Sequence, residues 1–150
     1  MILIDTNSLI VIIIGLIDPR IFKWHNRTSI YTEEDFYELM KIIGGLDKLI
    51  VLPNVWTEVD NLLNDFRGDY KYQYILKITE TIKASTEKFI DSHNATQNPH
   101  FQELGLTDSL ILEYSKECDL LITSDSRLSD YANAYNIPVH DMVKRRNERL

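Results

Sequence analysis

Four acidic residues stand just beyond apolar runs of this chain. Asp5 directly follows "ILI", Glu58 lies one turn past "KLIVLP", Asp108 comes after "LGLT", and Asp125 lies one residue beyond "LLIT". Asp5 poses the sharpest problem. It sits inside "MILIDTNSLIVIIIGLIDP" with core-grade residues on both sides, and a charged carboxylate in such surroundings is costly to bury uncompensated. No basic side chain is near it in sequence. Carboxylates brought together raise one another's pKa and repel unless a cation sits among them. Oxygen donors with ordered water are what Mg²⁺ or Mn²⁺ select. The expected chemistry is therefore a divalent cation that compensates Asp5 and activates water. His25, His93, His100 and His140 show no zinc-type spacing.

The elements that must position these acids can be read in outline. "ILI", "KLIVLP", "DLLIT" and "IPVH" are short apolar runs that read as buried strands. Between them lie helical stretches: "NSLIVIIIGLI", capped by Asn7 or Ser8 and stopped at Asp18-Pro19; "TEEDFYELMKIIGG", with Thr32 as its N-cap; Pro53 to about Phe66; Tyr70 to Ile90; Thr107 to Glu117; and Ser126 to Tyr135. Residues 91–102, "DSHNATQNPHFQ", read as a polar loop. Strands alternating with helices, each strand a continuous apolar run, argue for an α/β fold on a parallel sheet covered on both faces. No repeat or linker divides the chain, so 1–150 is expected to form a single domain. Ligands of such sheets bind beyond the carboxyl ends of the strands, which is where the four acids fall.

Each acid also has a plainer local role available. Asp108 and Asp125 are both placed to cap helices. Glu58 borders the apolar stripe of its helix on one side and Asp60 on the other, so periodicity alone does not choose between them. The conjunction of the four carries more than any one.

Composition narrows the setting. The 150 residues are 44% hydrophobic and 26% charged, with a net charge of −7 and a pI near 5.0, so no global basic field advertises a polyanion partner. Cys118 is the only cysteine, which excludes an internal disulfide and suits a reducing compartment. The apolar run 9–17 is too short to span a bilayer and lacks the flanks of a secretory signal. A cytoplasmic protein without membrane contact is expected. No elbow motif surrounds any serine, which argues against a serine nucleophile. A receiver-type phosphoacceptor domain needs an acidic pair after the first strand and a lysine after the last, and neither is present.

With these residues in view, the chain resembles the PIN-domain family. The matching segments are "LIDTN", "VLPNVWTEVDNLL", "LGLTDSLIL" and "LLITSDSRL", in the family's order. The resemblance implies a three-layer α/β/α sandwich with a mainly parallel sheet and the activity of a metal-dependent endoribonuclease, with Mg²⁺ or Mn²⁺ as cofactor. It assigns the catalytic and metal-binding acids to Asp5, Glu58, Asp108 and Asp125, choosing Glu58 over Asp60. Thr6, Asn7, Thr123 and Ser124 fall at polar positions that hydrogen-bond the acids or the phosphate. Hydrolysis would leave a 5′-phosphate and a 3′-hydroxyl. The stretch 18–31 and the helix 70–90 are longer than in compact toxin-type members. The toxin of a toxin–antitoxin pair and a stand-alone nuclease therefore both stay open. A non-catalytic module that binds RNA or a protein is the alternative.

An acidic enzyme still has to hold RNA. "RIFKWHNR" offers Lys23 and Arg27 beside Trp24, and "VKRRNER" offers Arg145 and Arg146, although solvated faces are the plainer reading of both stretches. Lys71 among Tyr70, Tyr72 and Tyr74 could form a stacking platform or pack on the core. As partners, the resemblance suggests a homodimer, with "NSLIVIIIGLI" either at the interface or in the core, and a small antitoxin seated in the acidic groove.

Overall fold

A computed structural model describes residues 1–150. Five strands form one all-parallel sheet in the order β3-β2-β1-β4-β5: β1 (Ile2–Ile4), β2 (Leu49–Val51), β3 (Thr86–Glu87), β4 (Leu120–Thr123) and β5 (Val139–Asp141). Eight α-helices accompany them: α1 (Thr6–Ile17), α2 (Glu33–Ile43), α3 (Pro53–Leu63), α4 (Asp69–Ala84), α5 (His93–Thr96), α6 (Phe101–Ser115), α7 (Ser126–Ala134) and α8 (Met142–Glu148). The chain winds outward from β1 through β2 to β3, then returns to β4 on the other side of β1. Right-handed crossovers in opposite directions place helices on opposite faces. The packing agrees, since α1 contacts α2, α3 and α4, whereas α6 contacts α5 and α7. The arrangement is consistent with a three-layer sandwich.

Strand order reverses between β1 and β4, where a crevice opens beyond the strands' carboxyl ends. The register there pairs Ile2 with Leu120, Leu3 with Leu121 and Ile4 with Ile122. Asp5 therefore emerges beside Thr123, with its backbone N–H donating to the Ile122 carbonyl at 3.1 Å.

The core explains why α1 reads apolar all round. Leu9, Ile10, Val11, Ile12, Ile13 and Ile14 are all fully buried, as a helix without a polar face requires. Each contributes about 1.5–3 kcal/mol by leaving water. Of the two places left open for this helix, interface or core, its burial selects the core. Close approach of α2 depends on Gly15, where an added Cβ would lie 2.2 Å from the Phe36 ring.

Several boundaries differ from the sequence reading, each for a local reason. The helix from Pro53 ends at Leu63, and the following one ends at Ala84. Ser85 leaves helical geometry there, and the chain joins the sheet as β3. The segment expected to be a loop contains α5 and the start of α6. Gly105, at φ 79°, breaks α6 into two parts, a conformation open to glycine at little cost. No helix is long and apolar enough to cross a membrane.

Candidate active site

The cleft at the switch point has a volume of about 380 Å³ and brings Asp5, Glu58, Asp108 and Asp125 onto one wall system, with Thr6, Asn7, Arg27 and Asn61 around them. Each acid arrives by a different element. Asp5 ends β1 and is itself the N-cap of α1, accepting from the Ser8 backbone N–H at 3.0 Å. The expected caps, Asn7 and Ser8, are displaced from that role, and Asn7 instead reaches the cleft.

Asp5 is almost fully buried. Its second oxygen accepts from the Thr123 hydroxyl at 2.5 Å and from the Ser124 N–H at 2.9 Å. Neutral donors thus supply part of the compensation that the sequence reading assigned wholly to a cation. They do not supply all of it. Burial outweighs these hydrogen bonds and holds the Asp5 pKa above the ordinary carboxylate value. The Thr123 hydroxyl also accepts from the Asp125 N–H at 3.0 Å, so one side chain links the Asp5 carboxylate to the Asp125 backbone. Ser124 completes the contact through its hydroxyl, 2.8 Å from that of Ser8.

Glu58 lies on α3 and receives two hydroxyls, from Thr6 on α1 and from Thr107 on α6, the latter at 2.9 Å. It therefore spans both helix layers. The geometry separates it from Asp60, which faces elsewhere and accepts the buried Tyr74 hydroxyl at 2.7 Å. Tyr74 is accordingly a core residue, whereas Tyr70 and Tyr72 are exposed. Asp125 caps α7, accepting from the Leu128 N–H at 2.9 Å. Asp108 does not cap a helix, as the sequence had allowed. It lies inside α6, in the part that follows the Gly105 break.

Asp108 registers the electrostatics of the cleft. Burial first, then the charges of Asp5, Asp125 and Glu58, push its pKa up to about 7 from an ordinary 3.8. None of the four acids takes part in an ion pair. The negative charge therefore has no ion-paired counter-charge within the protein; Arg27 lines the same cleft without pairing with any of the four.

An all-oxygen donor set without nitrogen or sulfur suits a hard cation. No three His, Cys, Asp or Glu side chains converge tightly enough to form a direct metal shell. The residues fit a hydrated Mg²⁺ or Mn²⁺, which keeps several waters between itself and its carboxylates.

The remaining basic candidates divide. Arg27 lines the cleft. Lys23 does not: it lies 5.8 Å over the exposed Trp24 ring and borders a separate depression with Pro19, Phe22 and Tyr31. Arg145 is committed to Glu38 and Glu148, and Arg146 donates to the Ile30 carbonyl at 2.9 Å. These two fasten α8 against neighbouring segments and do not reach the cleft. Sequence reading missed Asn61 and Thr107. Asn61 stands three residues past Glu58, on the same helix face, which is the signal that could have found it. A larger cavity of about 530 Å³, between Lys88, Phe89 and α6, contains none of the four acids.

Comparison with family models, with curated proteins and with solved structures returned no match.

Proposed function

We propose that the chain is a metal-dependent endoribonuclease of PIN type, hydrolysing RNA phosphodiester bonds at Asp5, Glu58, Asp108 and Asp125. One observation carries the reading: four carboxylates from four separate elements share a cleft at the switch point, close enough to lift Asp108 to about 7. A structural role for each acid alone leaves that accumulation without a purpose, because uncompensated like charges destabilise the fold.

In this reading Asp5, Asp108 and Asp125 hold Mg²⁺ or Mn²⁺, with Glu58 completing the set. The cation supplies charge neutralisation at the scissile phosphate and an acidified water. The chain supplies orientation. Thr123 and Ser124 fix the Asp5 carboxylate by donating to one oxygen. Thr6 and Thr107 fix Glu58 from both sides, leaving it aimed where an attacking water is oriented. Asn61 is placed to hydrogen-bond a phosphate oxygen or a sugar hydroxyl.

A second reading is favoured by a specific observation. Asp5 and Asp125 both cap helices, Glu58 is held by two hydroxyls, and no three acids form a direct metal shell. Those facts suit a non-catalytic module that binds RNA or a protein. Neither reading decides between a toxin with a small antitoxin partner and a stand-alone nuclease. Incubation with single-stranded RNA and Mn²⁺ separates the first two. Cleavage is expected to stop with EDTA and to fall by at least about 100-fold in Asp5→Asn, a variant whose amide can still cap α1. Unchanged cleavage by Asp5→Asn removes the site assignment.

A further inference from the structure

The acid cleft does not end at Asp108 and Asp125. On their far side lies a second lobe of about 310 Å³, lined by Glu103, Leu104, Ser126 and Arg127 together with the same two acids. Asp108 and Asp125 thus form a ridge shared by two depressions. The second lobe lies along the part of α6 that Gly105 interrupts at a positive φ. The first turn of that helix, 101–104, departs in a new direction and becomes the lobe's outer lip. Arg127 leans onto that lip, donating to the Glu103 carbonyl at 3.2 Å.

Charge is distributed over this groove in a definite way. Arg27 is the only cation lining the first lobe and Arg127 the only one lining the second. Both are exposed. Neither is spent in an ion pair, in contrast to Arg20, Arg145 and Arg149. Asp108 and Asp125 line both lobes, and each lobe has one arginine that pairs with no carboxylate. A chain of net charge −7 repels a polyanion except where cations are locally concentrated. The two lobes, about 380 and 310 Å³, each have room for about one nucleotide, as a single strand with splayed bases requires.

We infer that the two lobes form one continuous path for a single-stranded RNA, in which Arg27 and Arg127 bind the phosphates on either side of the one held at the acids. The inference rests on the nuclease reading for its substrate and adds two binding residues on opposite rims. Guanidinium forks match phosphate oxygens in two-point contacts. Two such contacts, one on each side, draw the strand across the ridge and present the intervening phosphate to the acids.

The test is binding, measured separately from cleavage. Fluorescence anisotropy of an unstructured, labelled oligouridylate is followed in Ca²⁺ over a salt series, for the parent, Arg27→Gln, Arg127→Gln and Arg20→Gln. Each of the first two variants is expected to weaken binding by about fivefold to tenfold and to reduce the salt slope by about 0.7. Arg20→Gln removes the same charge outside both lobes and is expected to leave the slope unchanged. Arg27→Lys and Arg127→Lys are expected to restore it, and a duplex of equal length to bind far more weakly. Parent-like slopes in both glutamine variants overturn the path, and so does a parent that does not bind the oligomer. The nuclease reading is scored independently by Mn²⁺-dependent cleavage and its loss in Asp5→Asn. Arginine-dependent binding without cleavage supports the path and removes the nuclease.

Discussion

Asp108→Asn offers a direct measure of how strongly the cleft is charged. The Asp108 carboxyl titrates near 3.8 when unperturbed and near 7 in the fold. Its pKa is raised, so folding favours the protonated form. The associated stability is complete below about pH 3.8 and is lost as pH rises through about 7. A difference of about 3 pH units at about 1.4 kcal/mol each amounts to roughly 4 kcal/mol. Asp108 keeps some contact with solvent, and its neighbours relax when it ionises, so about 2–3 kcal/mol is the effect to expect. That is a large share of a typical domain's total stability. Urea unfolding of the parent and the variant in EDTA, from about pH 4.5 to 8.5, reads it directly. The two are expected to lie within about 1 kcal/mol at the acidic end, to diverge up to about pH 7 with the variant becoming the more stable, and to run parallel above it. Mn²⁺ added at the alkaline end is expected to raise the parent's midpoint and to leave the variant's nearly unmoved. Parallel curves across the whole range refute the claim that burial and the neighbouring carboxylates together raise the Asp108 pKa.

Three further outcomes test the frame around the site. Gly15→Ala drives a methyl group into the Phe36 ring. It is expected to cost about 1–3 kcal/mol in thermal unfolding, with part recovered by adding Phe36→Leu. Tyr74→Phe removes the hydrogen bond to Asp60; a loss of about 1–2 kcal/mol with RNA cleavage unchanged would confirm that Asp60 lies outside the chemistry. Arg149→Ala breaks the contacts of the last helical turn with Glu34, Asp35 and Glu38. It is expected to lower stability by about 1 kcal/mol in low salt and by less in high salt, as denaturant midpoints at two ionic strengths will show.

The layered α/β architecture was readable because "ILI", "LIV" and "LLIT" are uninterrupted apolar runs, a pattern that only doubly covered strands sustain. The edge strand β3 was not. Thr86 and Glu87 are exposed and carry no hydrophobic signal, so their pairing with Ile50 and Val51 is imposed by the neighbouring strand. The first part of α6 was hidden for a related reason. "HFQEL" lacks a recognisable stop before it, and the Gly105 break masks its continuity with the helix that follows. Among the site residues, Asp5 and Asp125 announced themselves by standing at strand ends. Periodicity left Glu58 and Asp60 tied and only the resemblance chose Glu58; in three dimensions Tyr74 and the hydroxyls of Thr6 and Thr107 separate the two. The same limit applied to the basic residues. Arg27 and Arg145 look alike in sequence, and only the presence of Glu38 and Glu148 beside the latter reveals that its charge is already occupied.

Glu58 reaches from the first helix layer to Thr107 in the second, like the crossbar of a calliper whose jaws are α1 and α6. The opening of the mouth on that side therefore follows the separation of the two helix layers. Enlarging or shrinking a side chain deep under the sheet would change the gap at the rim, so remote volume changes are able to detune the groove while every residue lining it stays the same.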